Sequence, residues 1–177
     1  GPGSNGIITK IDRSGAVTPN FFSAGTTNLP GQLCTHPLDG QVYFALRLTT
    51  PTGPSGTKVW RIHPTIGPIL HFTTNVTATG LAIDNLGNFY LGGYEGQNGL
   101  GIYRVNYTVA PGNYQLAIYL GPGAGLNDNL LTLVDGSLLI QDGLTVYRLA
   151  NPASNMLVPF YTHTPPVGGL SVIHSMV

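Results

Sequence analysis

Gly80-Leu81-Ala82-Ile83-Asp84-Asn85-Leu86-Gly87-Asn88-Phe89-Tyr90-Leu91 decides how the whole chain reads. Two short apolar runs flank a turn, and each is too short for a helix. Gly87 supplies the positive φ that a hairpin needs, and Asp84 and Asn85 can cap the turn through their side chains. The same turn chemistry recurs as Leu38-Asp39-Gly40 and Val134-Asp135-Gly136, with successive glycines 47 and 49 residues apart.

Working outward, each turn joins two strands. The strand entering it is Gln32–His36, Gly80–Asp84, Leu130–Val134 or, without a turn after it, Gly169–Ile173. The strand leaving it is Gln41–Leu46, Asn88–Leu91 or Ser137–Ile140. A third type alternates apolar and polar residues about a basic one: Ile8–Asp12, Val59–His63, Ile102–Asn106 and Val146–Ala150, whose basic residues lie 51, 43 and 44 apart. The fourth type is Val17–Phe22, Ile69–Thr73, Tyr114–Leu120 and Met156–Tyr161. Four short strands per period of 43 to 51 residues fit the blade of a β-propeller. No stretch has a capped 3.6-residue period, so no helix is expected. The expected fold is all-β: about four blades of four antiparallel strands, the N- and C-terminal strands sharing the closing blade. Ile8–Ile11 would then pair within Met156–Ile173 and close a monomeric ring without sheet edges; two chains joining their arcs into a two-fold ring is the alternative. Blades are covered on both faces, so Leu81, Ile83, Phe89, Tyr90, Leu131, Leu133, Leu138, Val42, Phe44, Ile62, Val105 and Leu149 are expected to be buried.

Composition bounds the function. With 25 Gly and 14 Pro in 177 residues, a helical bundle is excluded. Hydrophobic residues at 42% suffice for a core, while seven basic residues against seven acidic ones leave no net charge to hold nucleic acid or an anionic membrane. No apolar run is long enough to span a membrane, and no signal segment is visible. Gly1-Pro2-Gly3-Ser4 reads as an expression scar, leaving 5–177 as a single domain or a piece of a longer protein. The single cysteine, Cys34, is expected to be a small buried hydrophobe rather than a disulfide partner. Scarce Lys with abundant Thr, Asn, Gly and Tyr points to an extracellular, viral or cell-surface setting, where Asn75-Val76-Thr77 and Asn106-Tyr107-Thr108 would be glycosylation acceptors.

Gly80–Leu91 followed by Gly101–Val105 resembles an NHL-type propeller repeat, and Ile8–Val17 is similar to segments of virginiamycin B lyase-type and gluconolactonase-type propellers. The resemblance implies that the Gly-Leu-Ala-Ile-Asp strand lies innermost. The axial channel would then be lined by Leu33-Cys34-Thr35-His36, Leu81-Ala82-Ile83-Asp84, Leu130-Leu131-Thr132-Leu133 and Leu170-Ser171-Val172-Ile173, a mostly apolar set. Enzymes of these families place Glu, Asp and Asn around a divalent cation there. Here the one glutamate, Glu95, falls in a Gly-rich stretch read as a wide connection, which speaks against such a site.

The candidate binding residues at the axial mouth are His36, Asp84, Asn85, Asp128 and His174, with His36 and His174 facing each other as a metal-binding or acid–base pair. Asp12, Asp39 and Asp135 are explained by turns. Trp60-Arg61, Tyr103-Arg104 and Tyr147-Arg148 recur once per blade, so the repeat explains them without nucleic acid. No Gly-x-Ser-x-Gly elbow is present. The sequence reading therefore leans toward a non-catalytic module that binds a protein or glycan through its loops, without cofactor or metal. Its alternative is a secreted lyase or lactonase-like propeller enzyme using a divalent cation in the channel.

Overall fold

A computed structural model describes residues 6–25, 28–96, 98–105, 113–119, 129–151 and 156–164. Every regular element among them is a strand: β1 (Ile7–Ile11), β2 (Val17–Ser23), β3 (Leu29–Thr35), β4 (Val42–Thr50), β5 (Gly53–His63), β6 (Gly67–Thr74), β7 (Thr77–Ile83), β8 (Phe89–Glu95), β9 (Gly99–Val105), β10 (Tyr114–Tyr119), β11 (Leu130–Thr132), β12 (Leu138–Asp142), β13 (Thr145–Leu149) and β14 (Leu157–Thr162). They form three four-stranded antiparallel sheets, β3-β4-β5-β6, β7-β8-β9-β10 and β11-β12-β13-β14, and a two-stranded sheet β1-β2. Each full sheet starts with the strand that enters the Gly turn, so the blade boundary falls in the link before that strand. Leu157–Thr162 pairs with β13 and Ile7–Ile11 with β2, so this part of Met156–Ile173 completes the third sheet instead of meeting Ile8–Ile11. Gly169–Ile173 lies outside the described residues.

The turns form as their residues dictate. Gly40, Gly87 and Gly136 adopt φ of 67°, 82° and 83°, and their amides donate to the carbonyls of His36, Asp84 and Leu133 at 2.9 Å each. Asp39, Asp84 and Asp135 each accept a backbone N–H two residues or more ahead, satisfying the donors that a tight turn leaves open.

The middle sheet is buried on both faces. Leu81, Ile83, Phe89, Leu91, Tyr103 and Val105 pack on Tyr43, Ala45, Val59 and Phe72 of the first sheet. The alternate residues Ala82, Tyr90, Ile102 and Ile118 pack on Leu130, Leu138, Ile140 and Leu149 of the third. That double burial is why β7 reads Leu-Ala-Ile without alternation. On the outer face of the first sheet, Phe22 of β2 meets Phe44 edge-on at 5.0 Å and Trp60 at 5.3 Å. Of the residues expected to be buried, Val42, Ile62, Leu131 and Leu133 are half-buried, and the rest are buried.

Two connections are tighter than the strands read from the sequence. The β4-β5 hairpin runs past Gln41–Leu46 and Val59–His63 and pairs out to Thr50 and Gly53. The Gly92–Gly99 stretch is not a wide loop: β8 runs to Glu95 and β9 resumes at Gly99. Gly93 lies against Thr77 there, where an added Cβ would sit 2.1 Å from the Thr77 carbonyl oxygen, so the strands approach too closely for any side chain.

Candidate functional site

The first strands of the three sheets, β3, β7 and β11, adjoin along their open edges, and side chains crossing between sheets satisfy those edges. Leu130 N–H donates to Gln32 Oε1 at 2.9 Å, and Gln32 Nε2 donates back to the Leu130 carbonyl, so one amide replaces a missing strand neighbour. Gln32 Oε1 also lies 3.4 Å from Leu81 N. Thr132 Oγ1 donates to the Ile83 carbonyl at 2.8 Å. Between the strands runs a narrow channel of about 180 Å³ lined by Gln32–Thr35, Leu81–Ile83 and Leu130–Thr132; of the expected lining, His36, Asp84 and Leu133 do not reach it and Leu170–Ile173 lies outside the described residues.

Gln32 also lines a larger open cavity of about 520 Å³ where the inner strands begin, with Leu29, Pro30, Gly31, Arg47, Thr79 and Asn129. Gly31 forms its wall by close approach: a Cβ there would lie 2.2 Å from the Thr79 carbonyl oxygen. Asn129 Nδ2 is oriented by donation to Gln141 Oε1 at 2.9 Å. Arg47 reaches the cavity from β4. Its Nε is buried without a hydrogen-bond partner, and among the described residues the ion pairs are His36 with Asp39 and Arg148 with Asp135. Among the described residues the cavity therefore holds a cation with no counter-charge, beside fixed amides.

At the opposite end, where the inner strands finish, three sequence candidates sit in the turns. His36 is buried; its Nδ1 accepts from Leu38 N at 3.2 Å and lies 3.6 Å from Asp39 Oδ1, while its ring packs on Tyr43 and Phe89. The His36 imidazole also abuts the next turn, 3.1 Å from where a Cβ on Gly87 would stand. Asp84 is buried and accepts from Leu86 N, Asn88 N, Asn88 Nδ2 and Tyr90 OH at 2.8 to 3.0 Å. Asn85 is exposed and donates to the Val134 carbonyl at 2.8 Å. Asp128 and His174 lie outside the described residues, so the facing of His36 and His174 does too. Glu95, buried at the end of β8, accepts from Asn98 N and Nδ2 at 3.1 and 2.8 Å. Among the described residues no three His, Cys, Asp or Glu side chains converge in a way that could hold a metal ion, so they do not fit a divalent-cation site.

Local electrostatics follow from these contacts. Hydrogen bonds from Ser137, reinforced by Arg148, hold the Asp135 carboxyl below the usual range. Burial pushes the Cys34 thiol up to about 12, which makes this half-buried channel residue a poor nucleophile.

Gln32, Arg47, Thr79 and Asn129 were not singled out from the sequence. One signal was available. Of the seven basic residues, Lys10, Arg61, Arg104 and Arg148 recur with the repeat, whereas Arg47 stands outside it on a strand otherwise apolar or hydroxylated.

No family model matches the sequence, and neither does any curated protein. Solved structures do match. A gluconolactonase from Xanthomonas campestris superposes with a TM-score of 0.65 at 20% identity, over 90% of this chain and 56% of that one. A luciferin-regenerating enzyme gives 0.62 at 16% identity, over 92% and 57%. Virginiamycin B lyase from Staphylococcus aureus, in an inactive form with quinupristin, gives 0.60 at 14% identity, over 92% and 51%. The fold is a β-propeller. The chain spans a little over half the length of the propellers it matches. These matches correct the leaning against catalysis, because the solved propellers named here are all enzymes.

Proposed function

We propose that this propeller is an enzyme of the lactonase or lyase type, converting a small oxygen-rich molecule in the cavity where the inner strands begin. The observation that carries the reading is the Arg47 guanidinium, without a counter-charge among the described residues, beside the amides of Gln32 and Asn129 at the mouth of an apolar channel. Opening a lactone builds negative charge on its carbonyl oxygen, and elimination from an ester builds it on the departing carboxylate. A fixed guanidinium stabilises both developing charges through charge-assisted hydrogen bonds. Gln32 is already held by Leu130, so its amide dipole needs no reorganisation when substrate enters. Leu29 and Pro30 supply an apolar wall for the substrate's carbon frame. No step is routed through a cation, because the described residues do not assemble ligands for one.

The test is turnover of a panel of lactones and cyclic esters by the purified chain and by Arg47→Gln. Activity on at least one member, reduced about 10²- to 10³-fold in kcat/KM by the substitution, supports the reading. Absence of turnover across the panel, or full activity in Arg47→Gln, refutes it.

A further inference from the structure

We infer that the Arg47 cavity recognises a carboxylate on a small hydroxylated ligand of carboxylated-sugar type. The inference rests on the proposed function only in taking this cavity as the ligand site. The charge comes first. Arg47 has no hydrogen-bond or ion-pair partner among the described residues, and the carboxylates whose contacts are seen are committed elsewhere: Asp12 to Ser14 and Ala16, Asp84 to its own turn, Asp135 to Arg148, Glu95 to Asn98. A guanidinium without an acidic partner gains charge-assisted hydrogen bonds from a ligand anion at its accessible nitrogens.

Geometry narrows the anion. A guanidinium is a planar fork that matches a carboxylate through two parallel N–H bonds. Among the described residues Arg47 is the one basic side chain lining the cavity, so a single negative charge is balanced, whereas a dianion such as a phosphate monoester would be left with excess charge. The rest of the wall selects hydroxyls. Gln32, Thr79 and Asn129 contribute amide and hydroxyl groups around the guanidinium, while Leu29 and Pro30 offer only a short apolar patch. A volume of about 520 Å³ accommodates a monosaccharide ring with ordered water beside it.

Calorimetric titration with D-glucuronate and D-glucose isolates the charged group, since the two rings differ in carrying a carboxylate or a hydroxymethyl. Glucuronate should bind at least about 10-fold more tightly than glucose at low salt. Arg47→Gln should remove that preference, and Arg47→Lys should retain part of it. Equal affinity for the two sugars, no glucuronate binding at tens of millimolar to folded protein, or the same loss on changing the distant Arg148→Gln would overturn the inference. The comparison of the two sugars on the unaltered chain stands even where Arg47→Gln fails to fold. Glucuronate preference without lactone turnover would keep this inference and remove the enzymatic reading; turnover without the preference would do the reverse.

Discussion

Thr57→Val tests how this propeller satisfies its inner strand edges. Thr57 on β5 and Ala78 on β7 are both fully buried, and Thr57 Oγ1 accepts from Ala78 N at 2.8 Å while lying 3.3 Å from the Ala78 carbonyl oxygen. Valine has the same shape, so no cavity opens and no neighbour moves. What changes is that the Ala78 N–H loses its acceptor in a place water does not reach. Leaving one buried backbone donor unpaired costs ~1–3 kcal/mol, and the long bond to the carbonyl adds little, so the expected loss is about 2 kcal/mol. The gain in strand propensity from Thr to Val offsets a few tenths at most. With a urea slope of about 2 kcal/mol/M, the unfolding midpoint should fall by about 1 M at unchanged slope. Thr57→Ser retains the hydroxyl and should lose only the buried methyl, ~1 kcal/mol. A Thr57→Val midpoint within error of the parent would refute the claim that cross-sheet hydroxyls hold these edges.

Gly31→Ala should destabilise by about 3 kcal/mol and lower Tm by about 6–10 °C in a calorimetric scan, because its Cβ would clash with the Thr79 carbonyl oxygen at 2.2 Å. The Cys34 thiol, held near 12 by burial, should react with a disulfide reagent at about pH 8 some 10³-fold more slowly in the folded protein than in urea; equal rates would contradict its place in the channel lining. His71 should make the fold acid-sensitive. Burial first, then the nearby charges of Arg61 and His36, lower its pKa below the ordinary 6.5, so below that pH the unfolded chain binds a proton that the folded chain resists. Stability is thus lost as pH falls through the unfolded value, and His71→Phe should lessen the difference in urea midpoint between about pH 7 and pH 5.

The strand order was legible because packing between blades imposes it. Every basic-centred strand, every Gly turn and the apolar Leu81-Ala82-Ile83 run repeats a local requirement, and fourteen of the fifteen strands read from the sequence appear among the described residues. The β4-β5 extension was not legible, since Pro51, Gly53, Pro54 and Gly56 look like a link until Thr74 and the β6 edge are in place to pair Thr57 and Lys58. The site was missed for a related reason. His36 and Asp84 attracted notice as titratable residues near inner strands, yet their polar atoms serve the turns that follow. Gln32 and Asn129 do not titrate, and nothing local distinguishes them from solvent-facing amides.

What distinguishes them is register. The turn hydrogen bonds from Gly40, Gly87 and Gly136 end on His36, Asp84 and Leu133, which therefore occupy equivalent positions in the three sheets. Counting back along each inner strand, Leu33, Leu81 and Leu130 share a level, and the next level toward the strand starts holds Gln32, Gly80 and Asn129. The repeat is intact at the leucine level and broken one residue earlier. Leu81 and Leu130 are fully buried between sheets, whereas Leu33 is exposed beside the channel. A cavity on the axis is lined by one residue from each sheet, and recognising an asymmetric molecule requires those residues to differ. Gly80 contributes no side chain at this level, and the Gln32 amide spans the gap to Leu130. In this chain Arg47, itself outside the repeat and opposite Leu29 in register, lines the cavity where the inner strands begin.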